Sequence, residues 1–238
     1  MTYLNYLKKK NKKKKGTYLH QFIKKKLKTR RFWIMYGRLI YVYGAMGSAK
    51  TAELLIEAYA HEEKGFKVCC IKPQRDTRDK TIKSRAGDLE READFLVTPD
   101  DDLFELIPDD VDSLFVDEVQ FLTPEQIDQL RKLTIDKQMT VLTYGLRADF
   151  QTNGFPGSIR LFEVADEIRE KYYNCKCHGK ATYNARFLNG EIVVEGDQVA
   201  IEGEDGIQYN SVCPECYYRL REEQLKKQQG PVRIRKKD

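Results

Sequence analysis

Three groups of residues in this chain have types and spacings that could do chemistry. The first is Gly44-Ala45-Met46-Gly47-Ser48-Ala49-Lys50-Thr51. A small-residue turn of this kind, set between a strand and a helix, presents backbone N–H groups and a helix N-terminus to phosphate. Lys50 would then reach the β- and γ-phosphates, and the Thr51 hydroxyl would hold Mg²⁺. One position departs from the usual pattern. Ala49 stands where a glycine normally precedes the lysine, and that position tends to need φ > 0, where a Cβ costs roughly 1 kcal/mol. Either the loop carries this strain, or Gly47 lets the backbone turn two residues earlier and relieves it.

The second group is Asp117-Glu118, which follows the apolar run Leu114-Phe115-Val116. An acidic pair at the end of a buried strand completes the metal site of many phosphate-loop enzymes. Asp117 would hold Mg²⁺ through water, leaving Glu118 free for another task. The third is Cys175-x-Cys177 with Cys213-x-x-Cys216. Four thiolates in two close pairs suit tetrahedral Zn²⁺ with no open position, which makes the zinc structural. Cys175-x-Cys177 is tighter than the usual knuckle, so His178 is an alternative for one ligand. Cys69 and Cys70 lie in an apolar run and read as core. Cysteine used in this way, with too few residues for a disulfide scaffold, points to a reducing compartment and hence the cytoplasm.

The elements that would position these residues form an α/β pattern. Leu39–Tyr43 reads as a buried strand, followed by the turn and a helix over about 50–64, which Gly65 would stop. Phe66–Ile71 predicts a second strand, Leu114–Val116 a third and Thr140–Leu146 a fourth. Thr123-Pro124-Glu125-Gln126 has the form of a helix start. Residues 75–90 are polar and read as a mobile loop. Strands alternating with helices predict a phosphate-loop, mostly parallel sheet with helices on both faces and its ligand site at the strands' carboxyl ends. After about residue 171 the segments shorten, and Asn189-Gly190 marks a hairpin turn. The organisation expected is a basic low-complexity tail over 1–34, a nucleotide-binding domain over 35–170, a small metal-stapled unit over 171–220 and a basic tail over 221–238.

Charge divides along the same lines. Eleven Lys and two Arg without an acid give residues 1–31 a charge of +13, and residues 221–238 carry +4, so the overall +5 leaves −12 on residues 32–220. An acidic body argues against a nucleic-acid groove across the main domain. The basic N-terminal segment is the exception. Leu19, Phe22, Ile23 and Leu27 have helical spacing there, compatible with an arm for RNA or an acidic membrane. Its other readings are a disordered tail or a start placed too far upstream, with Met35 the alternative. No run approaches the roughly 18 apolar residues of a membrane span.

Read together, the motifs resemble the zinc-bearing thymidine kinases. The resemblance rests on Gly44–Thr51, Asp76-Thr77-Arg78, Asp117-Glu118-Val119-Gln120-Phe121, Tyr144-Gly145-Leu146-Arg147-Ala148-Asp149-Phe150, Phe155-Pro156-Gly157 and Tyr209–Tyr217, in one order over residues 38–218. It implies a kinase that moves the γ-phosphoryl group of ATP to the 5′-hydroxyl of thymidine, and of deoxyuridine, as a homotetramer. It implies Glu118 as the base, with Lys50 and Arg78 offsetting charge on the transferring group. ATP would also meet Asp76, Asp117 and Gln120. The nucleoside would lie among Met46, Phe121, Leu146, Phe150 and Phe155, beneath a lasso-like loop represented by Val199, Ile201, Gly203 and Tyr209. Two departures from the family stand out: Ala49, and Gly47 in place of a bulky residue. The alternatives to this reading are a phosphate-loop ATPase whose zinc ribbon holds nucleic acid, and a degenerate relative that binds nucleotide without turnover.

Overall fold

The computed structural model describes residues 37–74, 80–198, 200, 203 and 206–229. The basic N-terminal segment, Asp76, Arg78, Val199 and Ile201 lie outside these residues. The strands and helices run β1 (Leu39–Gly44), α1 (Lys50–Glu63), β2 (Val68–Pro73), β3 (Thr81–Lys83), β4 (Glu90–Glu92), β5 (Phe95–Val97), α2 (Leu103–Leu106) and β6 (Ser113–Val116). A 3₁₀ turn (Val119–Phe121) leads into α3 (Pro124–Asp136), β7 (Thr140–Gly145), α4 (Pro156–Val164) and β8 (Glu167–Lys171). The remainder is β9 (Tyr183–Leu188), β10 (Glu191–Ile192), β11 (Ile207–Val212) and α5 (Pro214–Gln229).

Six strands form one sheet in the order β5-β2-β6-β7-β1-β8, and every pairing in it is parallel. A parallel sheet is covered on both faces, so its strands read as continuous apolar runs rather than alternating ones. Leu39, Tyr41, Cys69, Ile71, Leu114, Val116 and Val141 pack one face against Ile127, Leu130 and Leu133 of α3 and Leu161 of α4. Their neighbours Ile40, Val42, Cys70, Phe115, Leu142 and Tyr144 turn to the other face and meet Leu54, Leu55 and Ala58 of α1. Cys69 and Cys70 are thus core residues on opposite faces.

The helix ends follow local chemistry. Gly65, at φ 79°, ends α1: the Gly65 N–H reaches Glu62 O at 2.8 Å and the Phe66 N–H reaches His61 O at 3.1 Å. That bond pair satisfies carbonyls the helix would otherwise leave open. Thr123 and Gln126 cap α3 reciprocally, each side chain bonding the other's backbone N–H at 3.2 Å, ahead of Pro124 at the first turn.

The stretch expected to be one loop over 75–90 contains structure. Thr81–Lys83 pairs antiparallel with Glu90–Glu92, and Ile82 is buried against α1's face of the sheet. A single apolar residue among charges gives too short an alternation to announce a strand. The second strand begins two residues later than expected and includes Pro73. Strands β5 and β8 carried no signal. β5 has three residues, and β8 (Glu-Ile-Arg-Glu-Lys) is a charged edge strand, the composition that protects an open edge.

Beyond the main sheet, β9 pairs antiparallel with β10 and β11. Asn189-Gly190 joins β9 to β10 with both residues at positive φ (50° and 85°), the hairpin that the sequence predicts.

Candidate active site

The turn over 44–51 leaves the carboxyl end of β1 and opens α1. Gly47 (φ 77°) and Ala49 (φ 58°, ψ 29°) are both left-handed. Gly47 therefore does not relieve the alanine, and the loop carries a Cβ in a conformation that usually selects glycine. Lys50 lies back over this turn. Its Nζ donates to Gly44 O (3.1 Å), Ala45 O (2.9 Å) and Ser48 Oγ (3.4 Å). Burial pulls the Lys50 ammonium below its usual range, and the Glu118 and Asp117 carboxylates pull it back. A half-buried cation held by neutral carbonyls is poised to accept an anion.

Asp117 and Glu118 end β6 and diverge. The buried Asp117 carboxylate faces the Thr51 hydroxyl, with both oxygens at 3.3 Å. Burial, then the charge of Glu118, pushes its carboxyl up to about 7. Thr51 and Asp117 together offer hard oxygen donors of the kind Mg²⁺ takes. Glu118 is exposed to the cavity and adopts left-handed backbone (φ 50°). Non-glycine residues held in that region cost about 1–3 kcal/mol and cluster at functional sites. The Gln120 amide donates to the Glu118 carboxylate while its carbonyl accepts from Leu146 N–H at 3.0 Å. Gln120 thereby ties the acidic strand end to the end of β7.

A cavity of about 360 Å³ brings these groups together. Its lining includes Met46, Gly47, Ser48, Ala49, Lys50, Thr51, Asp117, Glu118 and Gln120 together with the apolar and aromatic Phe121, Leu146, Phe150, Phe155 and Tyr209. Phe121 and Phe155 meet edge to face at 5.5 Å. Gly44 and Ala45 lie beneath the lining, buried, and present their carbonyls to Lys50. Gly203 is exposed and is not part of the lining; its N–H donates to Ile207 O at 2.9 Å.

The four sulfurs of Cys175, Cys177, Cys213 and Cys216 lie within 4.8 Å of one another. Sulfurs on a tetrahedral ion with bonds of about 2.3 Å would sit roughly 3.8 Å apart, so the set fits a thiolate-bound metal. His178 is not in the group, so the candidate ligands brought together are all thiols. Burial would raise the Cys175 thiol, but hydrogen bonds from the Cys177 and Cys213 backbone more than offset it and hold it at about 6. Cys177 and Cys216 respond in the opposite direction. Cys216, beside Cys177 and Cys213, is pushed up to about 12. Four thiols this close cannot all ionise without a cation among them. Gly179 packs closely at the knuckle, where a Cβ would come to 3.3 Å from the Cys213 side chain.

A profile of the family described as thymidine kinase matches residues 37–217, most of the chain. The chain belongs to the thymidine kinase family. Among its relatives, the thymidine kinase of Enterobacteria phage T4 is 38% identical over 190 residues, 76% of this chain and 96% of that protein. That of Ruegeria pomeroyi is 41% identical over 185 residues (74% and 91%), and that of Streptococcus agalactiae 38% over 188 (76% and 97%). Against this thymidine kinase framework, the structure adds residues that the motifs did not announce. Arg186 of β9 is buried, with its guanidinium 3.8 Å from the Phe150 ring centre. It donates to Tyr209 Oη (2.8 Å), Asp197 O (2.8 Å) and Gln198 O (3.1 Å), so it holds both ends of the segment over 197–209. Gln198 also donates to Asp149 Oδ2 at 3.2 Å. Lys72, Lys83 and Arg85 bring positive charge to the cavity wall inside an acidic body. The signal available for these was weak: one lysine near the end of β2, isolated cations in the polar stretch after it, and an arginine in a mixed strand. Among the described residues, no helix is long and apolar enough to cross a membrane.

Proposed function

We propose that the chain transfers the γ-phosphoryl group of ATP to the 5′-hydroxyl of thymidine, giving thymidine monophosphate, and accepts deoxyuridine in the same way. The observation that carries this reading is one cavity lined both by the phosphate loop with Asp117-Glu118 and by Phe121, Leu146, Phe150, Phe155 and Tyr209. The polar residues suit a triphosphate, and the aromatic ones suit a flat base.

The polar residues divide the work by their surroundings. Glu118 is the base: it is open to the cavity, oriented by Gln120, and takes the proton of the 5′-hydroxyl as that oxygen attacks phosphorus. Lys50 exchanges the loop carbonyls for phosphate oxygens and offsets charge on the transferring group. Thr51 and Asp117 would hold Mg²⁺, which supplies charge neutralisation across the bridged phosphates. Asp76 and Arg78, outside the described residues, join the nucleotide site on the strength of the family motif, as do Val199, Ile201 and Gly203 for the covering loop. Zn²⁺ is the metal we assign to the four cysteines, in a structural role. A homotetramer in the cytoplasm completes the reading. Ile56 and Tyr59, more than half exposed on α1, offer apolar surface for assembly. The division into a nucleotide-binding domain over 35–170 and a metal-stapled unit over 171–220 is part of the same proposal, with α5 continuing to Gln229.

Glu118→Gln tests the assignment of the base. Label transfer from γ-labelled ATP to thymidine, followed in a single turnover, is expected to slow by on the order of 10²–10⁴-fold while ATP still binds. Transfer at the wild-type rate would remove Glu118 from the mechanism.

A further inference from the structure

The phosphate loop is supported from outside itself. Met46, at its centre, is held on both sides of its backbone by side chains of the small antiparallel sheet. Its N–H donates to Asn184 Oδ1 at 2.8 Å, and its carbonyl accepts from Ser211 Oγ at 2.6 Å. Asn184 lies on β9 and Ser211 on β11, directly paired in register, and Ser211 is two residues before the metal-cluster cysteine Cys213. Ala45, one step upstream, is buried in the same apolar cluster as Cys175, Ala185, Val212 and Cys213. The loop backbone and the thiol cluster therefore share one small core.

This support matters because the bonds that Lys50 makes within the loop are temporary. In the structure, Lys50 Nζ bonds the carbonyls of Gly44 and Ala45. Once Lys50 turns to phosphate, those bonds are given up. What remains is one backbone bond, from Ser48 N–H to Ala45 O at 3.3 Å, and a turn with two left-handed residues, one of them the strained Ala49. A backbone so placed relaxes unless other groups fix it. Asn184 and Ser211 hold the N–H and the carbonyl of Met46 whether or not Lys50 is engaged.

We infer that Asn184 and Ser211 are positioning residues for the ATP site, and that the metal-stapled unit preorganises the phosphate loop through them. This rests on the proposed nucleotide site. It goes beyond it by making ATP affinity, and not only nucleoside binding, depend on the metal-stapled unit. By linkage the dependence runs both ways: bound ATP stabilises the unit and slows release of its metal.

The test is ATP binding by equilibrium dialysis with Mg²⁺ and without nucleoside, so that turnover plays no part. Loss of one hydrogen bond to the loop predicts weakening of about three- to tenfold for Ser211→Ala and for Asn184→Ala. Ser211→Thr, which keeps the hydroxyl, is expected to restore most of the affinity. Gln224→Ala, on α5 of the same unit but away from the loop, should bind as the wild type does. A second measurement needs no variant: release of the metal from the wild type to a zinc-selective chromophoric chelator should slow several-fold with saturating Mg-ATP. Wild-type ATP affinity in Ser211→Ala, or metal release indifferent to ATP, overturns the inference while leaving the nucleotide site standing. A wild-type protein that binds no ATP overturns the site itself and the inference with it.

Discussion

Ala49 and Asp117 are the two residues whose surroundings oppose their chemistry. Ala49 holds a left-handed backbone (φ 58°) at the entrance to α1, where a Cβ costs roughly 1–2 kcal/mol. Glycine would remove that cost but lose more chain entropy on folding, about 0.4–1 kcal/mol. The two effects nearly cancel, so Ala49→Gly is expected to leave melting temperature within a few degrees and ATP affinity unchanged or modestly tighter. A tenfold or greater loss of ATP affinity would show that alanine is required by the path of the loop. Asp117 is disfavoured as an anion by burial and by Glu118, which raise it from 3.8 to about 7. In Mg²⁺-free protein its protonated form is the one the fold prefers. The stabilisation is therefore full below pH about 4 and lost as pH rises through about 7. Asp117→Asn, which cannot ionise, should melt higher than the wild type at pH 8 by several degrees. That advantage should shrink towards zero by pH 4–5. A difference independent of pH across that window would contradict the assignment.

At the level of elements, β9 has the widest reach. Its Asn184 holds the phosphate loop, and its Arg186 holds the covering segment at Asp197, Gln198 and Tyr209 while lying over Phe150. Replacing Arg186 by Met keeps bulk but removes these donors, leaving the Asp197 and Gln198 carbonyls to find new partners and Tyr209 held by Ala200 O. The KM for thymidine is expected to rise by about tenfold or more, with the KM for ATP changing much less and the metal retained. Equal changes in both constants would show that Arg186 acts on the whole fold rather than on the nucleoside side. None of this was legible in the sequence, because the roles of Asn184 and Arg186 come from partners up to 138 residues away. The phosphate loop, Asp117-Glu118 and the cysteine pairs were legible for the opposite reason. Each packs its chemistry into adjacent residues whose types are dictated by a local geometry. The same contrast separates β1, a run of buried apolar residues, from β8, whose charges describe an exposed edge and hide its place in the sheet.

Across the whole molecule, an acidic body encloses a cavity whose walls carry Lys50, Lys72, Lys83 and Arg85. These cations share the wall with Asp117, Glu118 and Asp149, so a polyphosphate with its divalent cation finds partners of both signs there, while a nucleic-acid backbone has no continuous basic track. Strand order, loop placement and the four-cysteine unit converge on that cavity, and Glu118, the base we propose, is part of its lining. The central claim is direct phosphoryl transfer to the 5′-oxygen of thymidine. The measurement that tests it most directly is ADP release from saturating Mg-ATP as thymidine is titrated in, with 5′-deoxythymidine as the matched control. The account predicts one ADP for each thymidine converted to its monophosphate, and binding without ADP release for the analogue that lacks the 5′-hydroxyl. ADP release that proceeds equally with 5′-deoxythymidine, or that responds to DNA or RNA and not to thymidine, would contradict it.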